Sequence, residues 1–178
     1  GSQKCLSCPP GISLITFSDL AAEKIQSRNS AVQSWFLDMS LLMAYWEGEG
    51  ARTYHHTAPV NSMYGLHESL LMLQEEGLEN SWKRHRVMHE MLAVGLEDLG
   101  FSYVVEKESD RLPQLNTVKL PDAIDEKKIR ARLLEEYNLE IGAGLGPFAG
   151  KVWRIGLMGY SARKENIELC LGALKACI

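Results

Sequence analysis

Four short stretches of the 178-residue sequence carry side chains whose types and spacing suit chemistry. The first is Gly1-Ser2-Gln3-Lys4, followed by Pro9-Pro10-Gly11. A lysine among small polar residues, with a Pro-Gly turn behind it, is expected on a constrained loop that sets its direction. An amine attacks a carbonyl only when unprotonated, and a free lysine titrates near ~10.4. Partial burial or a neighbouring cation would lower that value and open imine chemistry near neutrality. Taken alone, Lys4 reads better as a solvated surface charge.

The second stretch is Arg52-Thr53-Tyr54-His55-His56-Thr57-Ala58-Pro59. Paired histidines suggest a metal, but no acidic residue or third imidazole stands at a helpful spacing, so none is expected. Tyr54 and Thr57 put two hydroxyls in one loop, suited to the oxygens of a phosphate. A capping loop ahead of a helix explains the Thr and Pro equally well. The third stretch, Ile141 to Gly150, mimics a dinucleotide fingerprint when read from Gly144. Pro147 interrupts it and a strand follows rather than a helix, so the nucleotide reading is rejected. Its glycines are expected to form a flexible or close-packed loop. The fourth is Lys151 to Gly159. Strand alternation sends Trp153, Ile155 and Leu157 to one apolar face and Arg154 to the other, beside small Gly156. An arginine there is costly unless it meets a carboxylate, which its planar fork binds in bidentate fashion. A structural ion pair explains Arg154 equally well. Cys5 and Cys8 form a Cys-x-x-Cys without a second close pair, since the other cysteines stand at 170 and 177. Reduced thiols are expected, not a metal or redox site.

The elements that must position these residues follow from periodicity and breakers. Pro9-Pro10-Gly11 predicts a turn, and the apolar run Ile12 to Phe17 a buried strand. Ser18 is expected to cap a helix to about Arg28, and Trp35 to Trp46 reads as a second helical stretch. Glu47 to Pro59 is a loop. Apolar residues recur at helical spacing from Val60 to Glu76, Gly77 breaks the run, and a second long helix runs from about Glu79 to Gly100. Beyond it the pattern predicts strands at Phe101 to Val105 and Thr117 to Leu120, and a helix at Asp125 to Tyr137. Strands at Leu139 to Ile141 and Val152 to Met158 and a closing helix at Ala162 to Cys177 complete it. The second half is thus a compact α+β unit, whereas the first half has hardly any sheet and must pack on something else.

Composition excludes some partners. A net charge of −4 with interspersed lysines and arginines offers no basic stripe for nucleic acid. No apolar run approaches the roughly 18–20 residues of a membrane-spanning helix. No secretion signal is read, and Lys175-Ala176-Cys177-Ile178 is not a Ser-Lys-Leu type ending, which leaves cytoplasm and peroxisome both open. The start at Gly1 without Met is expected to mean missing upstream residues or a two-residue cloning scar.

Together the four stretches resemble the class V, fold type I aminotransferases that depend on pyridoxal 5′-phosphate (PLP). Ser2-Gln3-Lys4 with Pro9-Pro10-Gly11 resembles their cofactor-lysine motif. Tyr54-His55-His56-Thr57 with Pro59, Glu75 to Asn80, Arg111-Leu112-Pro113 and Gly144 to Gly156 resemble the alanine–glyoxylate and serine–pyruvate group closely. The resemblance implies an α/β fold: the end of the large PLP-binding domain over residues 1–78, then the small C-terminal α+β domain over 79–178. It implies that Lys4 is the Schiff-base lysine and shuttles the proton between Cα and C4′, with Gln3 beside the cofactor. Tyr54 and Thr57 would bind the phosphate of the neighbouring subunit's PLP, making a homodimer with shared active sites. Arg154 would clamp the carboxylates of a small amino acid and a 2-oxo acid: alanine or serine on one side, glyoxylate or pyruvate on the other. It also implies a large preceding region that supplies the aspartate on the pyridine nitrogen, the ring stacking and the main phosphate cradle. Cys5 and Cys8 depart from the small or apolar residues expected there. The alternative is a non-catalytic C-terminal fragment that needs that preceding region for cofactor binding and activity.

Overall fold

The computed structural model describes residues 1–47 and 53–178, so Arg52 and the expected loop glycines Gly48 and Gly50 lie outside the described residues. The chain opens with a hydrogen-bonded turn, then an irregular extended stretch, then helix α1 (Asp19–Gln26). Ser18 caps α1 by accepting from the Ala21 N–H, as its position predicts. Ile12 to Phe17 is not a buried strand. Leu14 and Ile15 are exposed and no ladder forms, because a strand needs partner backbone and all described strands lie beyond residue 101. The second apolar stretch is interrupted: Trp35–Leu37 forms one 3-10 turn, Asp38 adopts an extended backbone, and α2 runs Met39–Glu47. The Asp38 carboxylate accepts from the Ser40 N–H and hydroxyl, which starts α2 there.

Helices α3 (Val60–Glu76) and α4 (Leu78–Asp98) meet at Gly77, whose φ of +83° only glycine adopts readily. Beyond α4 come β1 (Ser102–Tyr103), β2 (Leu115–Lys119), α5 (Glu126–Tyr137), β3 (Gly142–Ala143), β4 (Val152–Gly156) and α6 (Lys164–Cys177). Asp125 caps α5 by accepting from the Lys128 N–H, and Asn138 in the left-handed region ends it. The strand expected at Leu139 to Ile141 forms instead at Gly142–Ala143, because pairing with Arg154 and Trp153 selects those residues. The glycine-rich stretch therefore begins as a sheet edge.

The sheet order is β1-β2-β4-β3, antiparallel throughout. Tyr103, Val118 and Trp153 lie side by side across it and are all buried. Helix residues Leu92 and Leu96 of α4, Leu133 of α5, and Ile167 and Leu174 of α6 pack on the same face. Burial of these apolar side chains is the main source of stability. The Trp153 indole N–H finds no acceptor among the described residues, a cost that burial of its ring offsets. Asn116, fully buried, ties β2 to α4: its Oδ1 accepts from His89 Nδ1 at 2.6 Å and the Tyr103 hydroxyl at 2.8 Å. Burial pushes the Tyr103 phenol up to about 12, so it stays a donor.

This core uses residues 88–177 only. Before Gly77 the buried apolar side chains are Cys8 and Leu66, while Leu20, Trp35, Phe36, Leu37, Tyr64 and Leu70 are exposed. Among the described residues no helix is long and apolar enough to cross a membrane. Leu174→Ala is expected to cost about 2–5 kcal/mol by opening a cavity at the helix–sheet interface. Urea unfolding measures it, with exposed Leu20→Ser as a control expected to stay within about 0.5 kcal/mol.

Candidate active site

Lys4 and Gln3 are exposed at the tip of the N-terminal turn. The turn is built by backbone bonds, from Lys4 N to Gly1 O, Ser7 N to Lys4 O and Cys8 N to Ser2 O. The Ser2 hydroxyl donates to Ile12 O and closes its back. Cys8 is buried, and its thiol lies 3.2 Å from the Ser69 hydroxyl and 3.8 Å from Gly65 O on α3. The turn is thus constrained, as its composition predicts. Among the described residues Lys4 remains exposed, as a solvated surface charge would.

The Tyr54 hydroxyl and Thr57 Oγ1 are hydrogen-bonded to each other and exposed. Between them His55 is buried and stacked flat on Trp35, with ring centroids 3.9 Å apart. His55 Nε2 meets Trp35 O at 3.1 Å, and its Nδ1 meets His56 Nδ1 at 2.8 Å. A carbonyl only accepts, so Nε2 carries the proton. The first imidazole is therefore engaged in holding the loop.

Arg154 is half-buried on the face of β4 opposite Trp153 and Ile155, between Thr117 and Gly142 in register. Its Nε donates to Ala143 O at 2.7 Å. Among the described residues no carboxylate lies within ion-pair distance of it, and its terminal nitrogens have no hydrogen-bond partner. A Cβ at Gly142 would stand 3.3 Å from Nη2, so glycine leaves the fork its room. With Nε anchored, the two terminal nitrogens of the fork have the geometry to take a carboxylate.

No described bond joins Lys4, the Tyr54–Thr57 pair and Arg154 directly. The N-terminal turn and the Arg154 strand are linked through the turn Met158 to Ala162, just beyond β4, whose Met158 was expected to end a strand and whose Ala162 to begin a helix. Tyr160 N donates to Ser7 Oγ at 2.8 Å, and Gly159 N donates to His85 Nε2 at 2.9 Å. Arg84 Nη1 donates to Gly159 O and Ala162 O, while its Nε and Nη2 grip both oxygens of Glu76. A cleft of about 600 Å³ opens beside this junction, between Cys5, Ser7, Arg84, Tyr160 and Arg163. The legible signal was slight: Glu76 stood in a recognised motif, and Ser81 and His85 share a helix face at i, i+4.

The family model for class-V aminotransferases matches residues 1–168. The chain belongs to the class-V aminotransferase family. It is 46% identical to the alanine–glyoxylate aminotransferase of Callithrix jacchus over all of this chain and 43% of that one. The crystal structure of alanine–glyoxylate aminotransferase from Nostoc sp. superposes with a TM-score of 0.91 at 49% identity, covering 99% of this chain and 46% of that chain. That of ureidoglycine–glyoxylate aminotransferase from Bacillus subtilis gives 0.92 at 40% identity, covering 99% and 45%. This class-V chain thus spans less than half the length of the relatives it matches, and its α/β architecture is that of fold type I PLP-dependent transferases.

The Arg84 guanidinium, hydrogen-bonded to Glu76, holds that carboxyl below its ordinary value of 4.5. A depressed folded-state value contributes stability that is full above 4.5 and fades as pH falls below it. Glu76→Gln is therefore expected to cost about 1 kcal/mol at pH 7 and progressively less in acid. Urea midpoints of both proteins at pH 7 and pH 3 measure this; a gap that does not narrow would show that the ion pair stabilises nothing.

Proposed function

We propose that the protein to which these residues belong transfers an amino group between a small amino acid, alanine or serine, and glyoxylate or pyruvate, with PLP as cofactor. The observation that carries the reading is identity of 46% and 49% to alanine–glyoxylate aminotransferases across the length of this chain. Glyoxylate recurs in the names of the ureidoglycine enzymes as well, which makes it the favoured acceptor and leaves the donor as the variable.

The residues fit such a cofactor by their donor chemistry: an exposed amine on a braced turn, a hydroxyl pair, and an arginine fork that no carboxylate among the described residues pairs. PLP, when bound, supplies an electron sink for the bond broken at the amino acid's α-carbon. In this reading Lys4 holds the cofactor covalently and moves the proton at Cα. Gln3 lies beside the ring. Tyr54 and Thr57 donate to phosphate oxygens of the neighbouring subunit's cofactor, so that two copies share each active site. Arg154 receives the α-carboxylate of donor and acceptor in turn, fixing Cα relative to the Lys4 amine. Residues 1–78 belong to the large cofactor domain and 79–178 to the small one, meeting at Gly77. A second reading, that the 178 residues alone fold without acting, is favoured by the exposed apolar side chains of the first half.

Borohydride reduction of the loaded enzyme followed by peptide mapping is expected to find one PLP adduct, on Lys4, and Lys4→Ala is expected to lose nearly all transamination. The 178-residue chain alone is expected to retain little cofactor. An adduct on another lysine with Lys4 unmodified sinks the mechanism.

Arg154→Lys keeps the charge and loses the two-pronged geometry, so KM for the amino acid and the keto acid should rise together by about tenfold or more. Cofactor affinity should hold. Kinetics unchanged for both substrates would return Arg154 to a purely structural role.

A further inference from the structure

The proposed reaction asks for a fixed distance between Lys4, on the first turn of the chain, and Arg154, on a strand 150 positions later. Nothing bonds the two, yet three contacts converge on the turn Met158 to Ala162 that follows β4. Gly159 has a φ of +57°, and a Cβ there would stand 2.1 Å from Ser7 Oγ and 2.5 Å from Cys5 O. The N-terminal turn is therefore seated directly on Gly159. Ser7 itself takes a left-handed φ of +59° and aims its hydroxyl at Tyr160 N.

The underside of the same turn rests on α4. His85 is 3% exposed, and both its nitrogens are committed. Ser81 O accepts from Nδ1 at 2.7 Å, and Gly159 N donates to Nε2 at 2.9 Å. A carbonyl cannot donate and an amide N–H cannot accept, so His85 is the neutral Nδ1–H tautomer, one donor and one acceptor at fixed places. Arg84 satisfies two carbonyls of the turn, Gly159 O and Ala162 O, at 2.8 and 3.0 Å. Glu76 at the end of α3 holds the other edge of the guanidinium, so the planar fork has no freedom to swing.

We propose that Arg84 and His85 are positioning residues: by gripping the Met158–Ala162 turn from below, they set the Lys4 turn relative to the Arg154 strand. The proposal rests on the functional reading above, in which Lys4 and Arg154 act on one substrate. In this proposal both act through the turn rather than on substrate. Their effect passes through Gly159 and Tyr160 to Ser7, and through β4 to Arg154.

The test uses the complete holoenzyme with His85→Leu, Arg84→Met and the conservative His85→Gln, whose Oε1 can still accept from Gly159 N. Hydrogen exchange is followed at the Gly159 and Tyr160 amides and, separately, at Lys4, Ser7 and Cys8. His85→Leu and Arg84→Met are expected to speed exchange in both turns and to lower kcat/KM by about tenfold or more, since small misplacement of reacting groups is costly. The borohydride-trapped adduct on Lys4 should stay stoichiometric, and His85→Gln should restore both readouts. Exchange in the Lys4 turn unaffected by either disruptive variant overturns the proposal. So does faster exchange with kcat/KM within about twofold of the parent, the signature of a brace that stabilises without positioning. Failure of the functional reading shows separately, as a parent enzyme whose adduct maps away from Lys4; exchange alone then decides whether the two turns are coupled.

Discussion

The pairing of β2 with β4 along five residues, Leu115↔Gly156 to Lys119↔Val152, is the constraint on which the rest depends. Register in a sheet with one buried face is strongly specified, because a slip by one residue would exchange the two faces. Here it would drive Arg154 into the core and Trp153 into solvent. Trp153 has no exposed surface at all, so the register is held by the largest fully buried side chain of the protein. Packing thus decides where a charged side chain points. Arg154 faces away from the helices because its neighbours on either side must face toward them. The Asn116 network acts in the same direction, since its bonds to His89 and Tyr103 close only when Asn116 lies opposite Ile155 on the buried face.

The described residues before Leu78 are governed by different physics. They bury little of their own apolar surface, and their order comes from hydrogen bonds among turns and from seating on α3 and on the Met158–Ala162 turn. A segment that cannot bury its apolar side chains within itself gains the missing free energy from another surface. Trp35, Phe36, Leu37 and Leu70 lie exposed among the described residues. Local bonding still fixes particular groups tightly: His55, flat against Trp35 and bonded through both nitrogens, keeps Tyr54 and Thr57 within reach of one another whatever covers them.

Much of this was legible in the residues. Apolar spacing located α3 and the Ser18 cap set the start of α1, because those signals are local and chemically specific; the helix read from Asp125 begins at Glu126 with Asp125 as its cap. Alternation predicted that Trp153, Ile155 and Leu157 share a buried face opposite Arg154, while Val152 on the Arg154 side is buried as well. The misreadings share a cause: they depended on partners far along the chain. Ile12 to Phe17 has the composition of a strand, but a ladder is a property of two segments. The edge strand at Gly142–Ala143 carries no β-forming side chains and exists because Arg154 and Trp153 present bonds to it. Arg84, His85 and Gly159 were illegible for the same reason. Each is an ordinary residue for its element, and only the contact across some 75 positions gives it meaning.

That contact also explains how the site can be both ordered and open. In the proposed function Lys4 reacts with an aldehyde, so it cannot be sealed in a core, and its reach is lost if its backbone wanders. Burial would secure the backbone at the expense of access. The N-terminal turn takes another course. Ser2 and Cys8 point inward and are buried, Ser7 is tied to Tyr160 N, and Lys4 between them stays exposed. Gly159 makes this possible, because only a residue without Cβ lets the Cys5 carbonyl and the Ser7 hydroxyl approach so closely. Access is thus separated from order: the turn sits on contacts that lead to α4 through His85 and Arg84, and the Lys4 side chain stays exposed.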